Sequence, residues 1–204
     1  MILEIYGETL NQRVVDEAVA TLGNGGIIIY PTDTVYGLGC AITHKSAIEK
    51  IYRIKQMEKS KPLSFICADL KDIARYAKVN TVVYRELRRH LPGPFTFILP
   101  ATHAVPKLVV SRQKTVGIRI PDHALSLAVV RQLGNPLVTT SLDINQRTFA
   151  SDPLDFTGFF EDKVDLIIQA GPSYQDLSTI VDFTHDVPRL IRAGQGDFSW
   201  VQSD

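Results

Sequence analysis

Apolar positions along the chain follow two rhythms. Over residues 11–22, Val14, Val15, Ala18 and Leu22 recur at helical spacing, and Gly23 and Gly25 follow as stop signals. "GIIIY" (26–30) is instead an unbroken apolar run, the pattern of a strand buried on both faces. Ahead of both, "LEIY" (3–6) predicts a short first strand. Ala47, Ile48, Ile51, Tyr52 and Ile54 make a second helical stripe, which gives way to polar residues 55–61 and stops at Pro62. "LSFIC" (63–67) predicts another buried strand. Helical patches follow around 70–77 and 81–90, the second with Asn80 as N-cap.

"LPGPFTFILP" (91–100) is a Pro-Gly-Pro turn feeding a strand, and "TVGIRI" (115–120) is the next strand. "HALSLAVVRQLG" (123–134) reads as a helix ending on Gly134, and "PLVTTS" (136–141) as a strand running into small polar residues. Residues 142–163 read as loop with a weak helical tendency. "VDLIIQA" (164–170), "STIVDF" (178–183) and "RLIRAG" (189–194) predict three late strands. Helices alternate with strands early, and strands cluster late. This order predicts an α/β fold: one domain over 1–204 with a twisted, mixed parallel and antiparallel open sheet flanked by helices.

Composition changes this picture little. With 204 residues, 45% hydrophobic and 22% charged, the chain has the ordinary globular balance. No apolar run approaches the roughly 18–20 residues of a membrane span, and "MILEIYGETL" lacks the basic-then-apolar order of a secretory signal. Cys40 and Cys67 match no metal or redox spacing and read as core thiols, so a reducing, cytoplasmic setting without a membrane is expected. Net charge is zero but uneven: +7 over residues 1–120 and −7 over 121–204. Such a split either marks a basic face for an anionic partner or cancels in three dimensions.

Familiar chemical signatures are absent. There is no G-x-x-x-x-G-K-[ST], no G-x-G-x-x-G, no H-E-x-x-H and no G-x-S-x-G. The five histidines are scattered without metal-ligand spacing. Attention therefore falls on "IIIYPTDTVYGLGC" (27–40), where a buried run turns on Pro31 and then places Thr32, Asp33, Thr34 and Tyr36 in one short loop. Such hydroxyls either close a turn or hold a ligand. Arg119, set between Ile118 and Ile120, points opposite to both. By itself it reads as the solvent-facing residue of an edge strand. Lys55 by itself is a solvated helix-end lysine, and Arg192 an ion-pair partner for one of the late carboxylates.

Taken together, eight segments resemble the YrdC-like family, whose best-known activity is threonylcarbamoyl-AMP synthesis. They are "YPTDTVYGLG" (30–39), "IYRIKQMEKSKPL" (51–63), "LPGPFTFIL" (91–99), "VGIRIPDH" (116–123), "TTSLD" (139–143), "SDP" (151–153), "STIVDF" and "LIRAG". Their details resemble most closely the YciO-like branch. The resemblance implies a nucleotidyltransferase that takes ATP with Mg²⁺, L-threonine and bicarbonate, without a tightly bound organic cofactor. It serves tRNA threonylcarbamoyladenosine modification. An RNA-binding module for tRNA or double-stranded RNA, of the same fold and without turnover, is the alternative. Arg85, Arg88 and Arg89 with Lys45, Lys50, Arg53, Lys55, Lys59 and Lys61 would supply its charge.

The resemblance also implies roles. Thr32, Thr34, Tyr36, Arg119 and Ser178 would bind substrate, Arg119 holding the carboxylate. Lys55, Thr96, Ser141 and Arg192 would bind the nucleotide, and Lys55, Ser141 and Asp143 would sit at the reacting groups. No resident metal ligand is implied. Two positions depart from the family pattern: Lys-x-Arg reads Lys55-Gln56-Met57, and Ser-x-Asn reads Ser141-Leu142-Asp143. Met57 cannot neutralise phosphate, and Asp143 adds a negative charge. One lost charge-assisted hydrogen bond is worth about 1.5–3 kcal/mol, so ATP is expected to bind more weakly and to depend more steeply on Mg²⁺.

Overall fold

A computed structural model describes residues 1–5, 10–144, 149, 152–173, 176–185 and 187–201. Tyr6 of the first strand block and Ser151 of "SDP" lie outside the described residues. Sixteen elements follow in the order β1 (Ile2–Glu4), α1 (Gln12–Gly23), β2 (Ile27–Tyr30), β3 (Gly37–Ala41), α2 (Lys45–Ile54), β4 (Ser64–Ile66), α3 (Leu70–Tyr76), α4 (Thr81–His90), β5 (Phe95–Pro100), β6 (Thr115–Arg119), α5 (Ala124–Leu133), β7 (Leu137–Ser141), α6 (Pro153–Phe160), β8 (Leu166–Gln169), β9 (Thr179–Asp182) and β10 (Arg189–Arg192).

All ten strands form one mixed sheet, in the order β1-β8-β2-β3-β7-β4-β6-β5-β9-β10. Pairs β1/β8, β2/β8, β4/β6 and β5/β9 are parallel, and the others antiparallel. Local chemistry sets several boundaries. The Asn80 side chain accepts from Val83 N at 2.9 Å and caps α4. Asp152 caps α6 with Pro153 at its first turn. Gly134 ends α5 at φ +70, where a side chain would be strained.

The pleat sorts each strand onto two faces. Ile27, Ile29, Leu38, Cys40, Phe65, Phe97, Ile118, Val138 and Val181 face a core closed by α2, α3, α4 and α6. On the other face Ile28, Tyr30, Leu137, Leu166 and Ile168 pack under α1 and α5. Both cysteines are buried free thiols, and burial pushes the Cys40 thiol up to about 12.

Strand β3 was not expected from the sequence. Gly37 and Gly39 mask it as loop, yet Gly37–Ala41 pairs with both β2 and β7. A Cβ on Gly37 would lie 2.8 Å from Tyr30 Cζ, so the Tyr30 ring needs the space that glycine leaves. Arg119 also differs from its isolated reading. Strand β6 is interior, flanked by β4 and β5, so Arg119 is buried rather than solvent-facing.

Candidate functional site

The second sheet face is covered only in part. Over β4, β6, β5 and β9 the alternating positions are Ser64, Gly117, Arg119, Thr96 and Ile180, and they line open space. A hollow of about 210 Å³ lies there, with Thr32, Thr139 and Ser141 on one side and Ser178 and Arg192 on the other. Pro62, Ser64, Thr96 and Ile180 also line an adjoining cleft of about 650 Å³, which Ser111, Arg112 and Ile98 extend. Gly117 keeps this floor low, because a Cβ there would come within 2.9 Å of Ser64 Oγ.

The hydroxyls are ordered in pairs. Thr32 Oγ1 donates to Val35 O at 2.7 Å and receives Thr34 N at 3.1 Å, so the "PTDT" loop is a closed turn and a wall of the hollow at once. Thr96 Oγ1 and Ser178 Oγ are 2.8 Å apart across β5 and β9. Tyr30 and Thr139 hydroxyls are 2.6 Å apart. Tyr36 lines the hollow, but its hydroxyl donates to Gly171 O at 2.7 Å and accepts from Ala170 N at 2.8 Å. That hydroxyl anchors the loop to the chain beyond β8.

Two guanidiniums face the hollow. Arg119 leaves the end of β6 and pairs through Nη2 with Asp33 Oδ1. Burial pulls its pKa down, opposed by Asp33. Arg192, at the end of β10, donates from Nε and Nη2 to Ser178 O at 3.1 and 2.8 Å. It makes no ion pair among the described residues; its partners are the carbonyl and the hydroxyl of Ser178. Burial lowers its pKa, and the nearby Arg119 charge adds to that.

Lys55, Thr34 and Asp143 do not line the hollow. Thr34 is wholly buried behind Thr32. Lys55 caps α2 and is buried rather than solvated. Its Nζ donates to Ser141 O at 2.6 Å and to Asp143 O, so it props the exit of β7. Burial pushes its pKa down to about 8, against the pull of Asp143. The Asp143 carboxylate accepts from Phe149 N at 3.3 Å. Met57 packs against the helix-covered core.

Seven of the ten residues singled out from the sequence thus share one hollow: Thr32, Tyr36, Thr96, Arg119, Ser141, Ser178 and Arg192. Sequence reasoning missed Ser64 and Thr140 as lining groups and Asp33 as the partner of Arg119. The signal for Ser64 was its place two before Ile66 on a strand, on the face opposite Phe65. No local signal linked Asp33 to Arg119, which lie 86 positions apart. Among the described residues no cluster of three or more metal-ligating side chains occurs, and no helix is long and apolar enough to cross a membrane.

Comparison with known proteins gives the family and the fold. The family model Sua5_yciO_yrdC, described as "Telomere recombination", matches residues 20–194. The chain is 38% identical over 195 residues to YciO of Escherichia coli K12, an uncharacterized protein, covering 95% of each. Against the crystal structure of E. coli YciO the TM-score is 0.92, over 98% of each chain. Threonylcarbamoyl-AMP synthase of Mus musculus is 35% identical over 156 residues, covering 76% of this chain and 55% of the mouse protein. P. abyssi Sua5 complexed with L-threonine gives a TM-score of 0.89 at 26% identity, over 95% of this chain and 57% of that one.

Proposed function

This chain belongs to the Sua5_yciO_yrdC family, and from that membership and the polar hollow we propose that it joins a threonine carbamate to AMP, as a threonylcarbamoyl-AMP synthase. The observation that carries the reading is the convergence of Arg119, Arg192 and a set of Ser/Thr hydroxyls on one small hollow beside a larger cleft. A volume of about 210 Å³ suits an amino acid with bicarbonate, and about 650 Å³ is in the range of nucleotide pockets.

In this reading the threonine amine and bicarbonate condense to a carbamate with loss of water. A carbamate oxygen attacks the α-phosphorus of ATP, the bond to the β-phosphate oxygen breaks, and pyrophosphate leaves. Arg119 holds the threonine carboxylate, and Thr32, whose hydroxyl donates to Val35 O, forms the adjoining wall. Arg192, with the Thr96–Ser178 pair, lowers the repulsion between carbamate and α-phosphate. Ser141 lines the hollow, and Lys55 fixes its backbone. Thr34 and Tyr36 act indirectly, by fixing the loop.

Magnesium fits this chain only as a companion of the nucleotide. Asp143 is a single carboxylate beside Ser141, and one carboxylate plus phosphate oxygens is an ordinary Mg²⁺ arrangement. The ion would supply charge neutralisation of the phosphates.

Pyrophosphate release is the test. It is expected to require ATP, L-threonine and bicarbonate together, and to fall at least about 100-fold in Arg192→Ala. Release independent of threonine, or none at all, overturns the reading. The RNA-binding alternative has one supporting observation: Lys45, Arg75 and Lys107 surround a separate groove of about 500 Å³ whose lining holds no carboxylate. RNA retention that vanishes with modest salt, without pyrophosphate release, would favour it.

A further inference from the structure

The groove of about 500 Å³ bordered by Lys45, Arg75 and Lys107 takes no part in the reaction proposed above. It shares no lining residue with the hollow or with the adjoining cleft. Its cations come from three separate segments: α2, α3 and the loop between β5 and β6. Its floor is apolar. Ile42, Ile48 and Tyr76 are buried there in the helix-covered core, and Pro106 and Leu108 form a side wall.

The walls are tied to one another. Thr102 Oγ1 donates to Arg75 O at 2.7 Å and Thr102 N to Tyr76 O at 2.9 Å, which joins the β5–β6 loop to α3. Ile42 N donates to Pro136 O at 3.2 Å and closes the far side. The Arg75 guanidinium lies over the Tyr76 ring, 5.5 Å from its centroid. Elsewhere on the surface Lys50, Lys59 and Arg89 pair with Asp165, Glu49 and Glu86. Among the described residues none of the three groove cations makes an ion pair. The carboxylates one turn away are engaged: Glu49 by Lys59 at 3.2 Å, and Asp72 by Ala68 N at 3.3 Å. Lys45 also opens α2, where the helix dipole disfavours a cation. A concave surface lined by one sign of charge concentrates counter-ions.

We propose that this groove is a second ligand site, separate from the hollow, for a small phosphate monoester with an apolar body. A phosphate monoester carries close to two negative charges at neutral pH and presents three acceptor oxygens. Lys45, Arg75 and Lys107 match it in charge and in number of donor groups. The body of the ester lies on the Ile48–Leu108 floor. A volume of about 500 Å³ is that of a small-molecule site. A nucleic-acid backbone would instead be tracked by cations strung along a surface, with no use for an apolar floor.

Calorimetric titration of the full chain with phenyl phosphate tests this. Binding is expected, and Lys45→Gln, Arg75→Gln and Lys107→Gln should each weaken it about tenfold or more. These three side chains are exposed, so their replacement leaves the fold in place. Inorganic phosphate, which has no apolar body, should bind at least about tenfold more weakly than phenyl phosphate. Arg192→Ala removes a cation of the hollow and should leave phenyl phosphate affinity within about twofold. Failure of the unaltered protein to bind phenyl phosphate overturns the proposal. So does binding that Arg192→Ala abolishes and the three groove variants leave intact, because the ester then sits in the hollow. Inorganic phosphate bound as tightly as phenyl phosphate overturns the role of the apolar floor. A short RNA duplex held through the same three cations, with phenyl phosphate not bound, overturns the proposal in favour of nucleic acid. Loss of pyrophosphate release alone bears on the hollow and leaves this site untouched.

Discussion

Two halves of one sheet face stand side by side in this protein, with the same pleat and different occupants. Under α1 and α5 the strands present Ile28, Leu137, Leu166 and Ile168, all but dry. A few strands away, equivalent positions present Ser64, Thr96, Gly117 and Arg119 to the open hollow. Backbone geometry does not distinguish them. What does is whether a helix lands there. A helix supplies apolar surface, and removing that area from water is the main gain. Without one, polar side chains stay hydrated and remain able to meet a ligand.

Ways to break the comparison begin with the covered half. Ile28→Ala should cost about 2–5 kcal/mol, read as a lowered urea midpoint. If the loss is under about 1 kcal/mol, the covered half is not the stability reservoir described. At the boundary, Gly37→Ala places a methyl group against the Tyr30 ring. Overpacking there should cost about 1–3 kcal/mol, visible in the same unfolding curves; an unchanged midpoint would mean the ring shifts freely. In the open half, Thr96→Val breaks the hydrogen bond to Ser178 and should cost only about 0.5–1.5 kcal/mol. Its effect on pyrophosphate release should be proportionately larger, and equal effects on both would erase the distinction between the halves.

A further expected effect concerns pH. Lys55 titrates near 8 when folded, against an ordinary 10.5. Between those values the unfolded chain binds more protons than the folded one, so stability rises as pH climbs through this window. Urea midpoints at roughly pH 7 and pH 10 should show this rise, and Lys55→Met should flatten it. A rise of the same size in the variant would assign it to other groups.

Most of the fold was legible in the sequence, because long apolar runs and helical stripes report burial directly. "GIIIY" and the stripe through Ala47–Ile54 are examples. Strand β3 was hidden, since its glycines respond to a ring on the neighbouring strand rather than to local propensity. Helix α6 was only faintly legible. Its Asp152-Pro153 start is a sound cap, but the apolar positions that follow form no clean stripe. For the site, residue types and order pointed to the hollow through family resemblance. The Asp33–Arg119 pair depends on which strands become neighbours, and no window of sequence contains that. Reading Lys55 as solvated failed for a similar reason: its acceptors are backbone carbonyls some 86 and 88 positions away.

That lysine strut has a consequence for how the protein can change. It ties the turn after α2 to the exit of β7, so the positions that depart from the family pattern, Met57 and Asp143, stand at opposite ends of a single brace. The brace itself runs to backbone carbonyls, and the Asp143 carboxylate also acts on Lys55 through its charge. Met57→Arg and Asp143→Asn, made singly and together, should therefore give unequal sums for ATP affinity.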